Sequence, residues 1–116
     1  MVRRYIPDRG DIVWLQFNPQ AGHEQAGHRP ALVISPRSYN EKVGLALFCP
    51  ITSQVKGYPF EVVLPSGGKP SGAILSDQVK SLDWSVRRAK RISKAPKEVI
   101  REALGKICTL IQVDDS

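Results

Sequence analysis

Short apolar runs, each closed by glycine or proline, fill the first two thirds of this 116-residue sequence. They are rich in β-branched and aromatic residues and too short for stable helices, which is typical of β-strands. We therefore predict strands at residues 11–17, 31–35, 44–51, 60–64 and 72–79. The run 31–35 is predicted to be buried on both faces, and Pro50 to mark an edge or bulge, because proline cannot donate to a sheet.

The connections between these runs carry turn residues. Residues 37–42 are polar and predict a turn or a short helix, and the Gly- and Pro-rich residues 65–70 predict a hairpin. A turn around Trp84 is predicted at residues 81–85, followed by a sixth strand that runs toward Ile92.

One amphipathic helix is predicted at the C-terminal end of the sequence. Pro96 suits its first turn and Glu98 its positive end. Apolar residues then recur at helical spacing and predict a buried stripe: Val99, Ile100, Ala103, Leu104, Ile107, Leu110 and Ile111. Short strands followed by one helix predict a mainly β, α+β fold, a small barrel or sandwich in a single domain over residues 1–116.

The charge balance of the chain points to an acidic partner. The net charge is +6, and six basic residues fall between Arg87 and Lys97 without an acid among them. This basic run is either a solvated face, a surface that follows phosphates, or a docking site for an acidic peptide.

Neither a signal sequence nor a membrane span is recognisable, so we expect a cytoplasmic protein. Cys49 lies in an apolar run and Cys108 on the side of the helix that we predict to be apolar. We therefore expect both cysteines to be buried and reduced.

The segment 19–30 is the densest cluster of reactive side chains. It places His23, Glu24, His28 and Arg29 among Gly22, Gly27 and Pro30, residues that disfavour a helix, and therefore predicts a loop between strands. The alternative is a solvated polar loop without a role. A metal site is not expected, because two histidines and two cysteines in the whole chain supply few ligands.

Six blocks in the sequence resemble the MazF/PemK family of toxin endoribonucleases in order and spacing, and the likeness is closer to the MazF branch. The blocks are G-D-I-V-W (10–14), G-H-E-Q-A-G-H-R-P (22–30), S-P-R-S-Y-N (35–40), P-I-T-S (50–53), K-G-Y-P-F-E-V (56–62) and D-Q-V-K-S-L-D-W (77–84). The resemblance implies an SH3-like β-barrel, a homodimer, and metal-independent cleavage of single-stranded RNA (mRNA, with rRNA or tRNA as further targets). It also implies neutralisation by a cognate acidic, MazE-like antitoxin.

The resemblance also implies roles for individual residues. In the MazF branch the catalytic pair corresponds to Arg29 and Thr52, and the RNA contacts correspond to Glu24 and Gln78. PemK-like members use a histidine and an aspartate that correspond to His23 and Asp77. Their third residue, an arginine, is replaced here by Leu75, so the PemK set is incomplete.

Cleavage without a metal makes the 2′-hydroxyl of the RNA the available nucleophile. Arg29 would then stabilise the phosphorane-like transition state, Thr52 would donate to the same oxygens, and Glu24 or His23 would act as the base. Unstacked bases and phosphates would be contacted by a wider set of residues: Phe17, Asn18, Glu24, His28, Ser53, Lys56, Asp77, Gln78 and Lys80.

Two other functions fit a barrel of this kind. A gyrase poison of the CcdB type shares the fold but relies on a C-terminal Trp-Gly-Ile, whereas this sequence ends with Asp114, Asp115 and Ser116. The other is a barrel that binds RNA or a peptide without cutting it.

Overall fold

The computed structural model describes residues 4–17 and 28–113. They form a seven-stranded antiparallel sheet with two helices. In chain order the elements are β1 (Asp11–Gln16), β2 (His28–Val33), α1 (Arg37–Val43), β3 (Leu45–Thr52), β4 (Glu61–Val63), β5 (Ala73–Leu75), β6 (Lys80–Asp83), β7 (Lys90–Lys94) and α2 (Lys97–Ile111). The predicted mainly β, α+β class with a C-terminal helix is confirmed.

Strand β3 is the centre of the sheet. The strand order is β4-β5-β3-β2-β1-β7, and β6 also pairs with β3. On the edge of β3 opposite β2, residues 45–48 pair with β6 and residues 51–52 pair with β5. Pro50 falls in the gap between these two partners, where a missing N–H costs no pairing on that edge. Among the described strands the two ends of the path do not pair with each other, so the sheet is not closed.

The sheet buries apolar side chains on both faces, because alternate residues of its central strands point to opposite sides. One face carries Ile12, Leu32 and Cys49 and is covered by α2. The other carries Val13, Leu15 and Phe48 and packs against Trp84. Residues 31–35 are all buried, as predicted for a strand enclosed on both sides.

Helix α2 begins after Pro96, has Glu98 in its first turn, and buries Val99, Ala103 and Ile107. The predicted stripe is wrong in the last turn, where Leu110 and Ile111 are exposed. The periodicity of apolar residues shows which side of a helix is apolar, but it does not show how far along the helix the sheet continues to cover that side. Cys108 is exposed, contrary to the prediction, because it is about 100° around the helix from Ile107. Cys49 is buried as predicted, and both thiols are free.

The prediction of one strand over residues 72–79 is wrong. Strand β5 ends at Leu75, where a turn is closed by the N–H of Gln78 donating to the carbonyl of Leu75 at 3.1 Å. Strand β6 occupies most of the predicted 81–85 turn, and the turn itself follows it. The short helix at α1, the 65–70 hairpin between β4 and β5, and the strand toward Ile92 are confirmed.

Asn40 of α1 joins three parts of the chain next to the apolar cluster that contains Trp84. Its side-chain amide donates to the carbonyls of Pro7 and Ser35 at 2.8 and 3.0 Å, and its carbonyl oxygen accepts from the hydroxyl of Ser35 at 2.6 Å. The indole N–H of Trp84 donates to its backbone carbonyl at 2.9 Å. Because all of these hydrogen-bonding groups of the buried Asn40 amide have partners, the residue fixes α1 against the sheet.

Neither α1 nor α2 has the length and apolar character that a membrane crossing requires.

Candidate active site

The segment 28–30 lies on a strand, and the predicted loop is therefore wrong at its end. His28 pairs with Gln16, Arg29 with Leu15 and Pro30 with Trp14. Local propensity, which disfavours a strand at proline, is overridden by the long-range pairing with β1. The rest of the 19–30 segment lies outside the described residues, and so do three predicted site residues, Asn18, His23 and Glu24.

Arg29 and Thr52 lie at the end of the pairing between β2 and β3. This pairing runs to Ala31 and Pro50, and Arg29 and Thr52 are each two residues past that pair on their own strands. Both line one cavity of about 610 Å³, together with Trp14, Ser53 and other residues. The hydroxyl oxygen of Thr52 accepts from the backbone N–H of Gln54 at 3.1 Å, which orients the hydroxyl group.

An aromatic pair stands beside this cavity. The rings of Trp14 and His28 are 5.3 Å apart between centroids and inclined by 30°. Trp14 is 38% exposed although its neighbours Val13 and Leu15 are fully buried. His28 was among the residues predicted to contact RNA, whereas Trp14 was not. The signal for Trp14 was its outward position in the alternating strand 11–17.

Phe17 and Lys80 are also brought together. The ammonium group of Lys80 lies 5.9 Å from the centre of the Phe17 ring, a cation–π arrangement. The guanidinium of Arg87 donates to the carbonyl of Gln16 at 3.0 Å and to that of Phe17. The end of β1 is therefore held in place where an aromatic ring and a cation meet.

A second cavity, of about 410 Å³, shares Thr52 and Gln54 with the first. It brings together Lys56 and Gln78, both of which were predicted to bind RNA. Its lining also includes Gln54, Tyr58 and Glu61, which were not among the predicted site residues. Tyr58 and Glu61 lie in the K-G-Y-P-F-E-V block, but nothing in a single sequence separates their roles from those of buried strand residues.

Asp77 lies in the turn before Gln78, and its side chain contacts Tyr58, which lines this second cavity. The Tyr58 hydroxyl donates to one of its carboxylate oxygens at 2.7 Å, and this bond raises the pKa of Tyr58 above its usual value. The other oxygen, Oδ1, is buried without a hydrogen-bond partner among the residues that the structure describes. Burial raises the pKa of the nearby Cys49 thiol to about 12, so this cysteine stays protonated.

The basic run is partly structural. Arg91 and Lys94 lie 3.5 and 3.4 Å from the buried Asp11 carboxylate, and Arg87 holds the end of β1. Arg88, Lys90 and Lys97 are exposed. Within residues 4–17 and 28–113 no three His, Cys, Asp or Glu side chains are grouped as metal ligands would be. Metal independence stays a prediction.

Comparison with known proteins gives consistent matches. Residues 8–111 match the family described as the PemK-like, MazF-like toxin of type II toxin-antitoxin systems. The chain is 51% identical to the endoribonuclease toxin MazF of Escherichia coli K12, over 96% of this chain and 99% of that protein.

Solved structures match over almost the whole chain. The crystal structure of MazF from Deinococcus radiodurans is 53% identical and superimposes with a TM-score of 0.85, covering 95% of this chain and all of that one. A MazE–MazF crystal structure from the same organism gives a TM-score of 0.85 at 46% identity, over 96% of this chain and all of the matched one.

Proposed function

Because this chain belongs to the PemK-like, MazF-like toxin family of type II toxin–antitoxin systems, we propose that it is a toxin endoribonuclease that cleaves single-stranded RNA at a short sequence. The observation that carries this proposal is that Arg29 and Thr52, at the ends of two neighbouring strands, line one cavity. A guanidinium beside a hydroxyl offers a fixed positive charge and several donors to one phosphate.

The reaction that fits these groups is an internal transesterification. The 2′-oxygen of the RNA attacks the adjacent phosphorus while a base removes its proton. The bond from phosphorus to the 5′-oxygen breaks, and that oxygen takes up a proton. The products are a 2′,3′-cyclic phosphate and a free 5′-hydroxyl, and no metal is required to activate water.

Arg29 acts in this scheme as an electrostatic clamp. A guanidinium stays protonated in proteins, which makes it a poor base at neutral pH. It stabilises the charge that develops on the phosphorane-like transition state, and Thr52 donates a hydrogen bond to the same oxygens. Glu24 or His23 is left as the base.

A pH–rate profile separates the two candidate bases. If His23 is the base, the profile has a limb near ~6.5, the ordinary histidine pKa, and this limb is lost in His23→Ala. If the limb survives the substitution, the base is not His23, and Glu24→Gln is the variant to measure next.

RNA recognition is assigned to the side chains around the two cavities. Phe17 and His28 offer aromatic faces for unstacked bases, Lys56 and Lys80 offer charge to phosphates, and Gln78 reads a base edge. Ser53, Asp77, Asn18 and Glu24 complete the proposed contact set.

The partners proposed for this chain are a second copy of itself and an acidic antitoxin. The MazE–MazF complexes known from Deinococcus radiodurans support an antitoxin of that kind. The net charge of +6 favours an acidic segment that orders on binding and covers the RNA surface. The cytoplasm, where mRNA is found, is the proposed site of action.

One assay tests the proposed reaction against the alternatives. The protein is incubated in EDTA with a long single-stranded RNA, with its DNA copy, and with RNA that carries one deoxyribose before a cleavage site. We expect discrete RNA fragments, intact DNA, and loss of cutting at the deoxyribose alone. Cutting at the deoxyribose would refute attack by the 2′-hydroxyl. RNA retained without cutting would favour a non-catalytic barrel, and trapped gyrase–DNA breaks in a parallel assay would favour a gyrase poison.

A further inference from the structure

The segment between β3 and β4, residues 54–60, forms one wall of the 410 Å³ cavity, and we name it the reading loop. It contains neither helix nor strand, and residues 54–59 are exposed. Segments of this kind are mobile unless specific contacts order them. In this structure three separate contacts do so, and together they fix the loop against the rest of the site.

The first contact is a buried carboxylate. Glu61 is 7% exposed, and its side chain accepts from the backbone N–H groups of Lys56 at 3.2 Å and Gly57 at 2.9 Å. A buried carboxylate is costly unless donors surround it, so these bonds stabilise both the charge and the fold of the loop. Gly57 has φ of +79°, which favours glycine at this bend.

The second contact ties the loop to α2. The ammonium group of Lys106 donates to the carbonyl of Pro59 at 2.6 Å and to that of Glu61 at 3.1 Å. The C-terminal end of the reading loop is therefore fixed to α2.

The third contact joins the reading loop to the turn that carries Gln78. Tyr58 belongs to the loop, and Asp77 directly precedes Gln78 in the sequence. The 2.7 Å hydrogen bond between the Tyr58 and Asp77 side chains links the two segments that supply Lys56 and Gln78 to the cavity lining. A link of this kind limits how far these two lining residues can move apart.

The lining of the cavity suits a nucleobase better than a phosphate alone. Gln54 and Gln78 each present a donor and an acceptor, and Thr52 presents a hydroxyl that can do either. Leu75 and the Tyr58 ring supply apolar surface. Groups that both donate and accept can discriminate one base edge from another, which a cluster of cations cannot.

We propose that this cavity holds one unstacked nucleobase next to the scissile phosphate, and that the Tyr58–Asp77 hydrogen bond is the positioning contact that sets which base is accepted. The inference rests on the proposed ribonuclease function. Tyr58 acts through the position of Lys56 and Gln78 and has no part in the chemical step. Its loss should therefore change KM and sequence preference more than kcat.

The test is Tyr58→Phe, which removes only the hydroxyl from a half-exposed side chain. Tyr39→Phe is the matched control, since Tyr39 is also half-exposed and lies on α1. We expect Tyr58→Phe to raise KM for the preferred RNA about 3- to 10-fold, the usual effect of one hydrogen bond, with kcat nearly unchanged. Discrimination against single-base variants of the target should fall by a similar factor, and Tyr39→Phe should behave as wild type.

A double-mutant cycle with Asp77→Ala decides whether the two residues act as a pair. If the bond carries the effect, Tyr58→Phe adds nothing further in the Asp77→Ala background. Independent, multiplying effects would overturn the proposal, as would unchanged KM and discrimination in Tyr58→Phe. If the wild-type protein cuts no RNA, the ribonuclease proposal itself has failed. A cutting wild type with an unaffected Tyr58→Phe removes only this inference.

Discussion

At the scale of single residues, the candidate chemistry depends on where two strands end. Arg29 is the second residue of β2, and Thr52 is the last of β3. Both residues belong to paired strands, yet neither side chain is buried in the core. A side chain in such a position can be changed with little effect on folding, which makes the pair open to a clean test.

Arg29→Ala is predicted to fold normally and to lose about 10²- to 10³-fold in the rate of RNA cleavage, the usual cost of removing one transition-state donor. Arg29→Lys should recover part of the rate, since it restores the charge but not the two parallel N–H donors of the guanidinium.

Thr52→Ala should also lose RNA cleavage, and Thr52→Ser should keep most of it. Single-turnover cleavage and thermal unfolding measure both effects. Arg37→Ala, at an exposed position on α1, is the control. Full activity in Arg29→Ala would refute the clamp.

The two cysteines are predicted to differ sharply in reactivity. Cys49 is buried, and burial raises the pKa of its thiol to about 12, which keeps it protonated at pH 8. Cys108 is exposed. A native protein treated with a disulfide reagent at pH 8 should therefore titrate one thiol quickly, and Cys108→Ser should titrate none until it is unfolded. Rapid reaction of Cys108→Ser would contradict the buried position of Cys49.

At the scale of elements, the sequence predicted what depends on local pattern. The strands at 11–17, 31–35, 44–51 and 60–64, the hairpin at 65–70 and the first three turns of the α2 stripe were recognisable because turn residues and periodicity are local signals. The start of β2 at His28 and the existence of β6 were not recognisable, since both depend on pairing with residues far away in the chain. Composition alone could not show that β3 exchanges one partner for another at Pro50.

Gly72 fixes the start of β5 against the end of β3. Its φ is +121°, and a Cβ there would lie 2.0 Å from the carbonyl oxygen of Thr52. Gly72→Ala is therefore predicted to lower the free energy of unfolding by at least ~2 kcal/mol and to reduce cleavage by displacing Thr52. Gly67→Ala is the matched control, because its φ is +84° but a Cβ would meet nothing within 4 Å.

Urea unfolding and the cleavage assay distinguish the two glycine variants. Gly67→Ala should show only the cost of a left-handed backbone, about 1–2 kcal/mol, with activity unchanged. Equal stability and equal activity in the two variants would mean that the close approach to Thr52 has no effect.

At the scale of the whole molecule, the site is assembled from segments that are distant in sequence. The ends of β1, β2 and β3, the reading loop and the turn before β6 meet around the two cavities. No local pattern could place Lys56 beside Gln78 or Phe17 beside Lys80. The family resemblance supplied Arg29, Thr52 and Gln78 as site residues. Tyr58 and Glu61 were identified as cavity residues only by the structure, whereas the outward position of Trp14 was a signal already present in the sequence.

The charge of the molecule gives the last prediction. With a net charge of +6, binding to single-stranded RNA should weaken with salt by a slope of about −0.7 per phosphate contacted, because bound counterions are released. Lys80 lies over Phe17 beside the end of β1 and is one of the proposed RNA contacts, whereas Lys42 is exposed in the last turn of α1. Lys80→Ala should reduce the magnitude of the slope by ~0.7, and Lys42→Ala should leave it unchanged.

Fluorescence anisotropy measures this slope on an RNA that cannot be cut because the 2′-hydroxyl at the cleavage site is absent. Both variants lower the net charge equally, so a general effect of charge would reduce the two slopes together. A reduction confined to Lys80→Ala requires a phosphate at that position. The RNA path would then run past the end of β1, next to the cavity that contains Arg29 and Thr52.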